Sequence, residues 1–378
     1  MNTNVENIEI SGIRKFSNKV SQVEGALSLT LGQPDFKTPG FIKKAMIDSI
    51  ENDKTTYTSN AGIVELRQEI SNYLKTFNIN FSTEDVCITV GGSEGLYAAF
   101  QGVLNPGDVI LVPDPSYPAY KAIGTIIGAN VIEYKLNKEF LIDIEDLKGK
   151  IKKFNPKAMV LSYPSNPTGA VMTKELRDNL YKILKDEKLY IITDEIYASV
   201  CYEDNYYSVC QYEDLVERCI YISGFSKMFS LTGLRIGYIC CKNKLLNEIM
   251  KVHQYNVSCA PSVAQYGALK GLTHCLNDVE IMKEEFKKRR DFVYSRLKEI
   301  GFQVNMPKGA FYIFPKIPKE NISSNDFCVD LLNKEKVACV PGSAFGTSGE
   351  GFMRISYCYS MEELKKALNH IEDYLRKN

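Results

Sequence analysis

From residue 86 onward the chain alternates short apolar runs with segments whose apolar residues recur at helical spacing. The runs VCITV (86–90), DVILV (108–112), NVIEY (130–134), AMVLSY (158–163), LYIITD (189–194), CIYIS (219–223) and YICC (238–241) have the length and apolar content of buried strands. Between them, SEGLYAAFQGVL places Leu96, Ala99, Phe100 and Val103 at helical spacing, and TKELRDNLYKILKDE (173–187) reads as an amphipathic helix capped by Thr173. Strands alternating with helices form βαβ units, whose sheet is mostly parallel and covered by helices on both faces. Ligands of such sheets sit outside the carboxyl ends of the strands, so the residues that follow each strand are the informative ones.

Beyond residue 276 the pattern changes. A long charged helix over 278–300 precedes short strands at 310–315, 337–342 and 352–358, and a helix over 360–377 closes the chain. That order predicts a smaller α+β domain. The segment 1–47 lacks the βαβ rhythm and is expected to pack with it. The expected division is a large domain over 48–275 and a small domain made of 1–47 with 276–378.

Composition narrows the function classes. Hydrophobic residues at 44% and charged residues at 24% are ordinary for a globular chain. Lys+Arg 46 balances Asp+Glu 46, which gives no pull toward nucleic acid or an anionic membrane. The opening MNTNVENIEI lacks the charged and apolar regions of a signal peptide, and no run approaches the ~18 apolar residues of a spanning helix. The cysteines show no C-x-x-C, which suits reduced thiols, and His253, His274 and His370 are too scattered for a local metal site. A cytoplasmic protein without a metal is the expectation.

The strand ends carry the chemistry. PSNPTG (164–169) brings Asn166, DEIY brings Asp194 and Tyr197, and SGFSKMFSLTGLRIG (223–237) brings Lys227 and Arg235 among small and apolar neighbours. GGSEG (91–95) opens a helix whose N-terminus suits an anion. A lysine so placed is either at the surface after all or held for chemistry, because an unpaired buried ammonium costs several kcal/mol. Amine, acid, amide, phenol and guanidinium together suit pyridoxal 5'-phosphate. That cofactor needs an amine for a Schiff base, an acid at its pyridine nitrogen, donors for its phenolate oxygen and an anion site for its phosphate. Taken singly, each has a plainer reading: Asp194 as a helix cap, NPTG as a turn, Tyr117 and Tyr57 as core or interface aromatics.

GFSKMFSLTGLRIG resembles the lysine-attachment signature of the class I aminotransferases, fold type I among pyridoxal-phosphate enzymes. The similarity runs from LGQPDF (31–36) to RISYCYS (354–360). The resemblance implies an α/β large domain, its mostly parallel sheet sandwiched by helices, plus a smaller α+β domain. It implies Lys227 as Schiff-base lysine and proton shuttle, Asp194 at the pyridine nitrogen, Tyr197 and Asn166 at the phenolate oxygen, and Tyr117 stacked on the ring. Gly92, Ser93 and Glu94 would offer backbone N–H groups to the phosphate, with Arg235 as counter-charge. Tyr57 would reach the phosphate of the neighbouring subunit, which implies a homodimer with shared sites. Arg354 would grip the substrate α-carboxylate through two parallel charge-assisted bonds, near Asn166, Gly32 and Ile13. Gly224 departs from the pattern, since many relatives have a serine there; its hydroxyl contact would fall to Ser226 or Ser223, or be missing.

A narrower similarity lies in SGIRKFSN (11–18), YPSNPTG and KVHQYNVSCAPS (251–262). These resemble a branch of low-GC Gram-positive aminotransferases assigned to N-acetyl-LL-diaminopimelate, in the acetylated route to lysine, some of which accept aromatic or other amino acids. Glutamate and 2-oxoglutarate are the expected shared substrate pair. A nicotinamide oxidoreductase does not fit, because GGSEG lacks the G-x-G-x-x-G spacing and Lys227 would go unexplained. A sensor module of this fold would carry a DNA-binding domain, for which the chain has no basic helix-turn-helix segment. A β-lyase or an aspartate or aromatic aminotransferase would use the same machinery. The side-chain pocket is left to Tyr312, Ile13, Arg14 and the partner subunit.

Overall fold

A computed structural model describes residues 1–377. Strand β1 (Leu27–Ser28) lies outside the main sheet. That sheet comprises β2 (Val86–Thr89), β3 (Val109–Asp114), β4 (Asn130–Lys135), β5 (Ala158–Ser162), β6 (Tyr190–Asp194), β7 (Cys219–Gly224) and β8 (Gly237–Cys240), in the order β2-β8-β7-β6-β5-β3-β4. The pairs from β4 through β7 are parallel, whereas β8 runs antiparallel to both β7 and β2. The fold is α/β, with a mostly parallel sheet.

Every residue of β5 and β7 is buried. The reason is that the sheet separates two cores, and the two-residue period of a strand feeds both. Met159, Leu161, Ile191, Cys219 and Tyr221 join one core, with Leu176, Leu180 and Leu184 of the helix Lys174–Leu184. Val160, Ile192, Ile220 and Ile222 join the other, with Leu96, Phe100 and Ile249. Each such side chain contributes roughly 1.5–3 kcal/mol by leaving water. Thr173 caps the helix as expected, its Oγ1 accepting the Leu176 N–H at 3.1 Å.

The remaining strands are β9 (Tyr312–Ile313), β10 (Val337–Ala338), β11 (Val340–Pro341) and β12 (Met353–Ser356). The expected strand 337–342 is split at Cys339 because it changes partners: β10 pairs with β1, and β11 pairs with β12, which in turn pairs with β9. Phe286, Val293 and Leu297 of the helix Leu276–Glu299 pack in this second body with Leu364, Leu368 and Ile371 of the helix Met361–Lys377.

The division proposed at residue 48 passes through the helix Gly40–Glu51. Its Ile42 joins the core of the main sheet, and Met46 sits so close to Gly267 that a Cβ there would lie 2.8 Å from Met46 Cγ. The helix Leu276–Glu299 likewise begins in the first core with Val279 and continues in the second from Met282. Among the described residues no helix is long and apolar enough to cross a membrane, and no cluster of side chains could hold a metal ion.

Candidate active site

A cavity of about 240 Å³ lies at the carboxyl ends of the parallel strands. Ser162 and Asp194 end β5 and β6, and Lys227 follows β7 in the short helix Phe225–Met228. The first turn of the helix Gly91–Val103 brings Gly92 and Ser93 to the same wall. Three glycines allow this meeting. A Cβ on Gly237 would lie 2.7 Å from Gly92 N, and one on Gly224 would lie 2.8 Å from Gly237 Cα. Gly91, at φ +72°, would bring a Cβ to 2.6 Å from Arg235 Nη2. The backbones therefore touch, and Arg235 lies against the helix N-terminus.

Lys227 Nζ donates to Gly32 O at 2.5 Å. Gly32 must be glycine, since a Cβ would fall 1.7 Å from the Tyr312 hydroxyl. Burial, reinforced by the positive charges of Arg354 and Arg235, pushes the Lys227 amine down to about 8. Asp194 accepts the Tyr120 hydroxyl at Oδ2, 2.7 Å away, and the Ile196 N–H at Oδ1, 3.2 Å away. Burial holds its carboxyl above the usual range, and these two bonds pull it back. The Tyr120 oxygen is also 2.9 Å from Ser162 Oγ. The carboxylate accepts only, so it takes the phenolic proton and the serine hydroxyl donates to Tyr120.

Arg354, in β12, is 2% exposed. Its Nη1 donates to Asn166 Oδ1 at 2.8 Å and its Nη2 to Thr30 O at 2.5 Å, while its Nε is buried without a partner. The guanidinium carbon lies 4.3 Å from the centre of the Tyr312 ring and 4.9 Å from that of Phe345. No ion pair offsets this charge among the described residues, so the guanidinium has capacity for a carboxylate that the fold does not supply. The Tyr197 and Tyr312 hydroxyls are 2.8 Å apart on the same wall.

Most of the residues expected from the sequence converge here. Ile13, Gly32, Gly92, Ser93, Tyr117, Asn166, Asp194, Tyr197, Ser226, Lys227, Arg235 and Arg354 all line the cavity. Tyr57 and Glu94 do not. Tyr57 is 86% exposed on the surface, and the Glu94 side chain is buried against His253. Arg14 is also absent from the lining. Of the two serines that could replace a hydroxyl at 224, Ser226 faces the cavity, whereas Ser223 donates to Glu195 O at 3.0 Å. Sequence reasoning missed Tyr120, Ser162 and Thr30; the signal for Tyr120 was its position three residues after Tyr117 at the start of the helix Ala119–Ile127.

Comparison with known proteins finds relatives along the whole chain. A protein of Bacillus subtilis (strain 168) named probable N-acetyl-LL-diaminopimelate aminotransferase is 42% identical, covering 100% of this chain and 96% of its own. A probable aspartate aminotransferase of Methanocaldococcus jannaschii is 39% identical, with 97% and 98% covered. The crystal structure of aspartate aminotransferase from Thermotoga maritima superposes with a TM-score of 0.93 at 34% identity, covering 99% of each chain. Residues 24–371 match the family described as aminotransferase class I and II, and the chain belongs to that family.

Proposed function

We propose that the protein moves an amino group from an L-amino acid to a 2-oxo acid, with Lys227 carrying the cofactor and handling the proton at the substrate Cα. The family depends on pyridoxal 5'-phosphate. The observation that carries this reading is that one cavity joins the Lys227 amine and the Asp194 carboxyl to a buried arginine with an unpartnered Nε.

The residues fit the cofactor. Lys227 Nζ would hold it covalently, Asp194 would meet the ring nitrogen, and Tyr197 and Asn166 would meet the phenolate oxygen. Tyr117 would cover the ring face. The N–H groups of Gly92 to Glu94, with Ser93, Ser226 and Arg235, would receive the phosphate. Tyr57 would complete the phosphate site of a second copy, so a homodimer belongs to the proposal. When bound, pyridoxal phosphate supplies an electron sink that stabilises negative charge at Cα. Everything else falls to the chain. A buried carboxylate at Asp194 favours a protonated partner opposite it. Lys227 Nζ, whose proton burial makes easier to give up, would take the Cα proton when it is not itself holding the cofactor. Arg354 aligns the α-carboxylate so that this proton faces Lys227.

Glutamate and 2-oxoglutarate are the proposed shared pair, and the name of the Bacillus subtilis relative makes N-acetyl-LL-diaminopimelate the first candidate for the other donor. Arg235 and Arg354 are the arginines that line the cavity, so no third one is dedicated to a distal carboxylate among the described residues.

The test is the absorption spectrum before and after adding glutamate without any oxo acid. Conversion of the visible band to pyridoxamine phosphate absorption is expected. A band that ignores glutamate and responds to another amino acid would change the donor. No band after soaking in pyridoxal phosphate would overturn the reading, and ammonia release without an oxo acid would point to elimination.

A further inference from the structure

We propose that His253 is doubly protonated and neutralises Glu94 beneath the cavity's anion-binding turn, making it a positioning residue for the cofactor phosphate; this rests on reading that turn as the phosphate site. His253 belongs to the helix Asn243–Val257 and is 0% exposed. Its Nδ1 lies 3.2 Å from both Oε1 and Oε2 of Glu94, and its Nε2 lies 3.0 Å from Asn60 O. A neutral imidazole has one donor and one acceptor. Here both ring nitrogens face acceptors, a carboxylate on one side and a backbone carbonyl on the other. Two donors satisfy this geometry, and the imidazolium is the form that has them.

In the same proposal Glu94 carries the negative charge. Its Oε2 also accepts the Val90 N–H at 3.1 Å. Nδ1 is equidistant from the two oxygens, which suits a shared carboxylate rather than a proton fixed on one of them.

The position of the pair gives it a function. Glu94 stands in the first turn of the helix Gly91–Val103, whose Gly92 and Ser93 line the cavity. A carboxylate and a phosphate are each favoured at a helix N-terminus, but side by side they repel each other. An unneutralised Glu94 would occupy that positive end from inside the protein and repel the phosphate arriving from the cavity. With His253 charged, the pair carries no net charge and the N–H groups are left to the ligand. The second bond of His253 extends the device to the loop that carries Tyr57. Asn60 belongs to that loop, and the buried Gln265 braces it too, donating to Thr58 Oγ1 at 3.0 Å and accepting the Ile63 N–H at 2.8 Å. The phosphate-facing turn and the Tyr57 loop are thus joined through one imidazolium.

Two measurements test this. In nitrogen-15 spectra of histidine-labelled protein, which has three histidines in all, His253 should show two protonated ring nitrogens at neutral pH. A bare nitrogen on His253 would overturn the proposal without touching the cofactor reading. Pyridoxal phosphate affinity of cofactor-stripped protein, followed by fluorescence quenching, is the second. H253Q should weaken it about tenfold or more, and adding E94Q, which removes the unpaired negative charge while keeping the backbone N–H groups, should recover most of that loss. A double variant as weak as H253Q would reduce His253 to packing and overturn the proposal. Should H253Q not fold, E94Q decides: a large loss of affinity in it contradicts the charge argument. Wild-type protein that binds no pyridoxal phosphate would overturn both this inference and the reading on which it rests.

Discussion

The Tyr120 hydroxyl lies 2.7 Å from Oδ2 of Asp194, and the two residues stand at the ends of different elements of the same sheet edge. That bond works against burial, which raises the Asp194 carboxyl. Removing it in Tyr120→Phe therefore lets the carboxyl rise further. Protonated aspartate then persists to higher pH, and the acid limb of the kcat/KM profile should move up by about one unit, the equivalent of one hydrogen bond to a charged group. An unmoved limb would separate Tyr120 from the work of Asp194.

Lys227 should limit stability in the cofactor-free protein. Its folded value of about 8 lies below the ordinary 10.5, so the unfolded chain binds more protons between those two values. The penalty is complete below pH 8 and fades as pH rises toward 10.5. Lys227→Met should therefore be more stable than wild type at pH 7, by about 2 kcal/mol, and lose that advantage in strong alkali. Calorimetry of the stripped proteins across pH reads it directly, and equal stability at pH 7 would contradict a destabilising amine. The same variant should have lost multiple turnover.

Arg354→Lys keeps the charge and discards the fork. KM for amino acids should rise by about 30- to 100-fold, with the larger part of the loss in binding rather than in turnover. An unchanged KM would move the carboxylate site away from β12.

Gly224→Ser restores the residue that the resemblance leads one to expect, and it should do harm. A Cβ there meets Gly237 Cα at 2.8 Å and Ile236 O at 3.1 Å. Opening that contact should cost about 1–3 kcal/mol of stability, seen in denaturant titration, with no gain in cofactor affinity. Ser226→Ala, by contrast, should weaken cofactor binding without altering stability. Tighter cofactor binding in Gly224→Ser would show that the two strands can part.

The centre of the main sheet was legible because its strands, β5 and β7 above all, are buried on both faces. AMVLSY and CIYIS are uninterrupted apolar runs for that reason, and Asn166, Asp194 and Lys227 could be picked out as the residues just beyond them. The direction of β8 was not legible. YICC looks the same read either way, and only the link after β7 decides it. Tyr120 and His253 were hidden for a different reason. Each acts through a partner far off in the chain, Asp194 and Glu94, and a phenol or imidazole inside a helix reads as ordinary packing until the fold brings its partner near. Glu94 was chosen for its backbone position, and its side chain turned out to have business on the other side of the helix. The helix Gly40–Glu51 escaped notice as part of the first core because it precedes every strand whose rhythm could have claimed it.

The cavity is lined by Lys227, Arg235 and Arg354, with Asp194 as its carboxylate among the described residues. Low-dielectric walls concentrate the field, and small dianions collect there whatever their origin. On the proposed reading, phosphate or sulfate in a purification buffer should compete with the cofactor for Arg235 and with the substrate for Arg354. Reloading of stripped protein should be slower in phosphate than in chloride at equal ionic strength, and the choice of buffer becomes an experimental variable in every assay of this enzyme.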